Sequence, residues 1–181
     1  MSAPQNDDAI RALRANFMFA SLSDEQLAAF AGQVWFEKIP AGSVIVREGE
    51  QADSLYVVVE GGVNVLKGAE QFLAYLGPGG FFGEMALFTE QSRRSATCQA
   101  TVDSTCVVIR KAVLEQFCTS RPDAGLIIYR AIIRTLAERL QTTSADLAFL
   151  MGVHVRQQSA VQELVDGAKS RGRRPPGTPE I

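Results

Sequence analysis

Between Val34 and Arg110 the chain is never left to run straight for long. The stretch VWFEKIPAGSVIVREGEQADSLYVVVEGGVNVLKGAEQFLAYLGPGG sets short β-branched and aromatic runs between Pro40–Ala41–Gly42, Glu48–Gly49–Glu50, Gly61–Gly62, Lys67–Gly68 and Gly77–Pro78–Gly79–Gly80. Each cluster carries the residue types that make turns and break strands. SATCQATVDSTCVVIR continues the rhythm as two strands joined near Asp103–Ser104. Turn signals spaced this closely and this regularly predict an all-β sandwich or barrel. Roughly eight strands over residues 34–110 predict a jelly-roll or β-roll.

The flanks change period, so the expected fold is mainly β with helices on either side. Residues 1–33 read as N-terminal helices: Ile10, Leu13 and Phe17 share a face, and Asp7 and Asp8 suit a helix start. Ser23 caps a second helix with Leu27 and Phe30 as its apolar face, and Gly32 ends it. After Lys111 the sequence KAVLEQFCTS gives a short helix, and Pro122 opens a long one that Ser120 could cap. Within it Leu126, Ile133, Leu140 and Leu147 recur every seven residues, with Tyr129, Leu136, Thr143 and Leu150 three places after each. That is an a/d seam with a single polar member, Thr143. Residues 111–151 therefore form a helical segment ending in a long helix whose stripe is expected to pack in part on its own β-roll and, since it is too long for that to cover, on a second copy of the chain. Gly152 offers a break or a bend. Residues 152–181 are expected to hold a further short helix and a tail rich in Pro and Arg, disordered, with Arg171, Arg173 and Arg174 as a small basic cluster.

Bulk properties narrow the function classes. The 181 residues are 46% hydrophobic and 21% charged, with a formal net charge of −2. That is a globular composition and poor support for a protein that coats nucleic acid, where a basic stripe is expected. No apolar run is long enough to cross a bilayer, and MSAPQNDDAI has no basic region leading into a hydrophobic one, so no membrane or secretory signal is read. Cys98, Cys106 and Cys118 form no CxxC pair and suit reduced, buried thiols in a cytoplasmic protein. His154 is the sole histidine, which leaves little for a zinc site or for Ser-His and Cys-His catalysis.

One segment carries chemistry. GGFFGEMALFTEQSRRSATC, residues 79–98, joins a glycine turn to one acid, a short apolar run and a paired arginine. A surface loop with solvated charges is the plain reading. A short helix beginning near Gly83 would instead place free N–H groups beside a glycine-bordered opening, a ready anion site. Arg94 adds a planar fork of donors suited to a phosphate, and Ser95 a hydroxyl. Strand alternation lets only one of Arg93 and Arg94 point inward, and the position before Ser95 favours Arg94. Glu84 has the wrong sign for a phosphate but suits a ribose hydroxyl. One phosphate with one free ribose hydroxyl describes a nucleotide.

GEMALFTEQSRRSAT resembles the phosphate-binding cassette of the cyclic nucleotide-binding domain family, and looks most like its bacterial catabolite activator branch. The resemblance extends over roughly residues 10–150: IPAGSVIVREGEQADSLYVVVEGGVNVL is similar to the first strands, and RLQTTSADLAFL to the dimer helix. It implies that Gly83 and Glu84 hold the ribose 2′-hydroxyl. Met85, Ala86, Arg94 and Ser95 would hold the cyclic phosphate, and Thr143 and Ser144 would face the base, one of them from a partner subunit. Arg139 either turns towards this site or stays solvated. The implied ligand is cAMP, with cGMP possible. A polar pair in an apolar seam is costly unless a ligand base satisfies it or it serves as a register marker. Two departures stand out. Lys67–Gly68–Ala69–Glu70 makes a shorter hairpin than the branch has. Its transcription factors also continue into a helix-turn-helix domain, for which about 30 residues after the dimer helix are too few. The leading expectation is thus a cAMP-binding regulatory module that passes its state to an unidentified protein, not an enzyme. The alternative is a truncated transcriptional regulator or one using its basic tail on DNA.

Overall fold

The computed structural model describes residues 6–68, 71–89 and 92–171. The chain divides into two compact units, one closing at Ile133 and the other opening at Arg134. In the first, eight strands lie in two four-stranded antiparallel sheets, the expected β-roll. One sheet is ordered β1 (Trp35–Ile39), β8 (Ser104–Arg110), β3 (Ser54–Glu60), β6 (Phe81–Phe82); the other is β2 (Val44–Val46), β7 (Thr97–Ala100), β4 (Val63–Lys67), β5 (Gln71–Leu76). The strands read as joined near Asp103–Ser104 therefore cross from one sheet to the other and do not form a hairpin.

Alternation decides what each strand buries. Ile39, Val58, Phe82 and Cys106 from the first sheet meet Val46, Val63, Cys98 and Ala100 from the second, and these make the core between them. The opposite face of the first sheet is also buried: Leu55, Val57, Phe81, Val107 and Ile109 are almost wholly covered. That second layer is helical. α4 (Lys111–Ser120) packs on β8, and the Phe117 ring meets Phe30 of α2 (Asp24–Ala31) at a tilt with 4.7 Å between ring centroids, while Phe19 meets Phe30 at 5.5 Å. Strands covered on both faces read as continuous apolar runs, as STCVVIR does. In the second sheet, Phe72, Leu73 and Tyr75 of the edge strand β5 stay exposed. All three cysteines are free and buried.

The helices follow the sequence with three differences. α1 (Asn6–Ala15) buries Ala9 and Leu13, but the chain turns at Asn16, so Phe17 leaves the expected helical face. Asn16 is the buried residue instead: Nδ2 donates to the Gly79 carbonyl at 2.7 Å, and Oδ1 accepts from the Met18 N–H at 2.9 Å. The capping box at Ser23 and Gln26 forms in both directions. Ser120 does not cap the next helix, because it is the last residue of α4 and its hydroxyl donates to the Phe117 carbonyl at 3.1 Å. α5 spans Pro122–Arg171. Its first turns bury Ala124, Ile128 and Ile132, and a Cβ on Gly125 would lie 2.9 Å from that of Cys118, so glycine allows the two helices to close.

Gly152 interrupts nothing: the helix runs through it to Arg171, where a separate helix was expected. A helix-interior glycine costs about 1 kcal/mol against alanine, too little to stop an established helix. In the second unit Leu140, Leu147, Leu150, Met151 and Leu164 are exposed, as are Leu126 and Ile133 in the first. Leu136 is partly covered. Arg173, Arg174 and the expected disordered tail lie outside the described residues, as do Ala69 and Glu70 of the short hairpin.

Candidate functional site

The segment from Phe81 to Thr97 leaves β6, forms one turn of helix and returns to β7. Gly83 has φ 86°, a left-handed value that strains any other residue. A Cβ there would collide with Nη1 of Arg94 and sit 2.9 Å from the Ser54 carbonyl oxygen. Glycine is thus needed both for the turn and for the approach of the arginine. Glu84 follows at 2% exposure, and its side chain does not cap the short helix α3 (Met85–Phe88).

The return limb is zipped to the turn before β3. Arg94 N–H donates to Glu50 O and Gly49 N–H to Arg94 O, each at 2.9 Å, and Ala52 N–H donates to Ser92 O at 2.7 Å. This antiparallel pairing, with Gln51 opposite Arg93, makes successive side chains alternate. Arg93 turns out and donates to the Gly49 carbonyl at 2.8 Å, while Arg94 turns in and is 7% exposed.

Arg94 is held from two sides. Nη1 donates to Ser54 O at 2.6 Å and Nη2 to Ser54 Oγ at 3.1 Å. Its Cζ lies 5.6 Å from the centre of the Tyr56 ring, which stacks on Phe82 at 5.0 Å. Burial raises the Tyr56 phenol above its ordinary range, with the hydrogen bond to Ser54 and the Arg94 charge working the other way, so the ring stays neutral beneath the cation at physiological pH. A guanidinium carries five N–H donors, so the two bonds to Ser54 leave others for an anion. Ser54 and Tyr56, which hold Arg94 in place, are residues that reading the sequence missed. Their signal is slight: a hydroxyl and a phenol at i and i+2, on the face of β3 that otherwise points Val58 into the core.

Of the predicted residues, Gly83 and Arg94 meet directly, and the hydroxyl of Ser95 donates to the sulfur of Met85 at 3.3 Å. Glu84 stands between Gly83 and Met85 in the chain, and Ala86 contributes its backbone to α3. Thr143 and Ser144 belong to the second unit, where both are exposed and Thr143 Oγ1 donates to the Arg139 carbonyl at 2.9 Å. At the far end of α3 the Phe88 ring meets Tyr129 of α5 edge-on at 6.0 Å. Among the described residues no group of three His, Cys, Asp or Glu could hold a metal, and no helix is long and apolar enough to cross a membrane.

A glycine-entered turn with a buried acid and a buried arginine, set on a β-roll, is the arrangement of a cyclic nucleotide-binding domain. Residues 36–121 match that family, and the chain belongs to it, with its relatives among the bacterial cAMP receptor proteins. It is 35% identical over 135 residues to the cAMP-activated global transcriptional regulator CRP of Salmonella typhimurium, covering 71% of this chain and 62% of that protein. The chain thus spans under two thirds of the curated relatives it matches. The N-terminal domain of a Streptomyces coelicolor transcriptional regulator superposes with a TM-score of 0.61 at 31% identity, covering 73% of this chain and 94% of that one. The catabolite activator protein of Thermus thermophilus gives 0.62 at 28% identity, covering 74% and 62%. Domains of this family are regulatory ligand binders, not enzymes.

Proposed function

We propose that this chain is a cAMP-responsive regulatory module that works as a homodimer in the cytoplasm and passes its ligand state to another protein. The observation that carries the reading is the burial of Glu84 and Arg94 beside Gly83 in one short cassette. Acids and arginines are almost never buried this fully unless they are paired, and here both stand at the one glycine turn whose N–H groups and charges suit a ribose and a phosphate. Arg94, with donors beyond those given to Ser54, takes the cyclic phosphate together with Ser95 and the N–H groups at Met85 and Ala86. Gly83 and Glu84 take the ribose 2′-hydroxyl. Thr143 and Ser144 take the base, and the exposed Leu126, Ile133, Leu140 and Leu147, with the partly covered Leu136, form the seam with the twin helix. The Phe88–Tyr129 contact gives movement of α3 a direct route to the start of α5.

Titration against cAMP, cGMP and cyclic dinucleotides tests this reading. Thr and Ser hydroxyls accept from the adenine 6-amino group, where guanine has only a carbonyl. The expected preference for cAMP is about tenfold, as one net hydrogen bond allows. Tighter binding of cGMP would reverse the base assignment, and no binding of any cyclic nucleotide would end the proposal.

The ribose contact has its own test. Glu84→Gln should weaken cAMP binding about tenfold, the difference between a charged and a neutral acceptor. The wild-type protein should lose a similar factor with 2′-deoxy-cAMP. Equal affinity for cAMP and its 2′-deoxy form would remove Glu84 from the ribose.

A further inference from the structure

Lys67 ends β4 beside the return limb of the cassette, and the roles assigned above do not use it. Its ammonium donates to the Ser95 carbonyl at 2.8 Å and pairs with Glu48 Oε1 at 2.7 Å. Glu48 Oε2 accepts from the Gly68 N–H at 2.9 Å, and the Glu48 N–H donates to Thr97 Oγ1 at 3.0 Å. Three separate segments are joined in this way: the turn before β3, the end of β4 and the limb running from Ser95 into β7. The Lys67 hydrogen bond, and after it the Gly68 N–H, hold the Glu48 carboxyl below the usual carboxylate range.

Neither side chain serves the core, since Lys67 is half exposed and Glu48 one third. A surface ion pair by itself contributes little to stability. The third contact sets this pair apart. An ammonium has three donors, and here one is given to the carbonyl of a residue whose hydroxyl reaches Met85 of α3. Holding that carbonyl fixes the Ser95–Ala96 peptide plane, and with it the backbone from which the Ser95 hydroxyl projects.

We infer that Lys67 is a positioning residue for the bound anion: it fixes Ser95, with Glu48 holding the ammonium in place. The inference rests on the cassette being the nucleotide site. Calorimetric titration of cAMP into wild type, Lys67→Met, Lys67→Arg, Ser95→Ala and the Lys67→Met/Ser95→Ala double variant tests it, with a thermal melt of each. Lys67→Met should bind about fivefold more weakly, the effect of one hydrogen bond, with its melting temperature unchanged. Lys67→Arg should stay within twofold of wild type. In the Ser95→Ala background Lys67→Met should cost nothing further, a coupling that a merely structural lysine would not show. If Lys67→Met melts lower, Lys67→Gln replaces it in the same cycle. Wild-type affinity in the charge-removing variants would overturn the inference, and so would an undiminished loss in the Ser95→Ala background. Failure of the wild type itself to bind cAMP would bring down the cassette reading, and this inference with it.

Discussion

Arg94→Leu is expected to reduce cAMP affinity by at least about a hundredfold while the domain still folds. Two charge-assisted bonds to phosphate are worth roughly 1.5–3 kcal/mol each, and about 1.4 kcal/mol is a factor of ten. Leucine keeps much of the apolar packing over Tyr56 but leaves the buried Ser54 carbonyl without the donor 2.6 Å away. That orphaned acceptor costs about 1–3 kcal/mol, so a lower melting temperature should accompany the lost binding. Arg94→Lys separates charge from geometry: it keeps the cation, cannot fork, and should bind with an intermediate loss. Titration with a parallel melt reads both effects. Binding of Arg94→Leu within threefold of wild type would mean that the phosphate sits elsewhere.

Leu140→Lys carries the second large effect. Leu140 is 67% exposed in the single chain, so a lysine there meets no clash within it. In a twin seam the same substitution buries two ammonium groups at the centre of the contact, which is costly without partners. The dimer should dissociate at micromolar concentration while the monomer melts as before. Thr143 lies three residues on, at the following d position, so loss of the dimer should also weaken cAMP binding if the base contact crosses the interface. Linkage demands the converse, that cAMP tighten wild-type dimerisation by the same factor. Sedimentation with and without cAMP measures both. A wild-type protein that remains monomeric at high concentration with cAMP bound would remove the seam.

The β-roll was legible because its punctuation is local. A glycine or proline cluster stops a strand whatever surrounds it, and the turns read at residues 40–42, 48–50, 61–62 and 77–80 fall between the observed strands. The assignment of β7 and β8 to different sheets was not legible, since TCQA and STCVVIR carry no mark of which edge each will pair with. Where the sequence misled, a tertiary contact outweighed a local pattern. Phe17 continues the apolar spacing of α1, yet the chain turns one residue earlier to let Asn16 bond Gly79. Ser120 has the right chemistry to cap α5, but α4 had already taken it. In the cassette, sequence spacing brought forward the residues proposed to touch a ligand. It gave little hint of Ser54 and Tyr56, which hold Arg94 from some forty residues away in the chain.

The clearance at Gly83 has a consequence for how such a site changes over time. The space that a Cβ would need is filled by the guanidinium of Arg94, and the next nearest atom is the Ser54 carbonyl on which that guanidinium rests. Substitutions at the three positions cannot therefore be independent. Any residue larger than glycine at position 83 displaces the arginine, whereas loss of the arginine first removes one of the two obstacles to a side chain there. A lineage that abandoned the phosphate ligand would be expected to lose Arg94 before Gly83, and one that regained it would have to restore the glycine first. History at this site runs more easily in one direction than in the other.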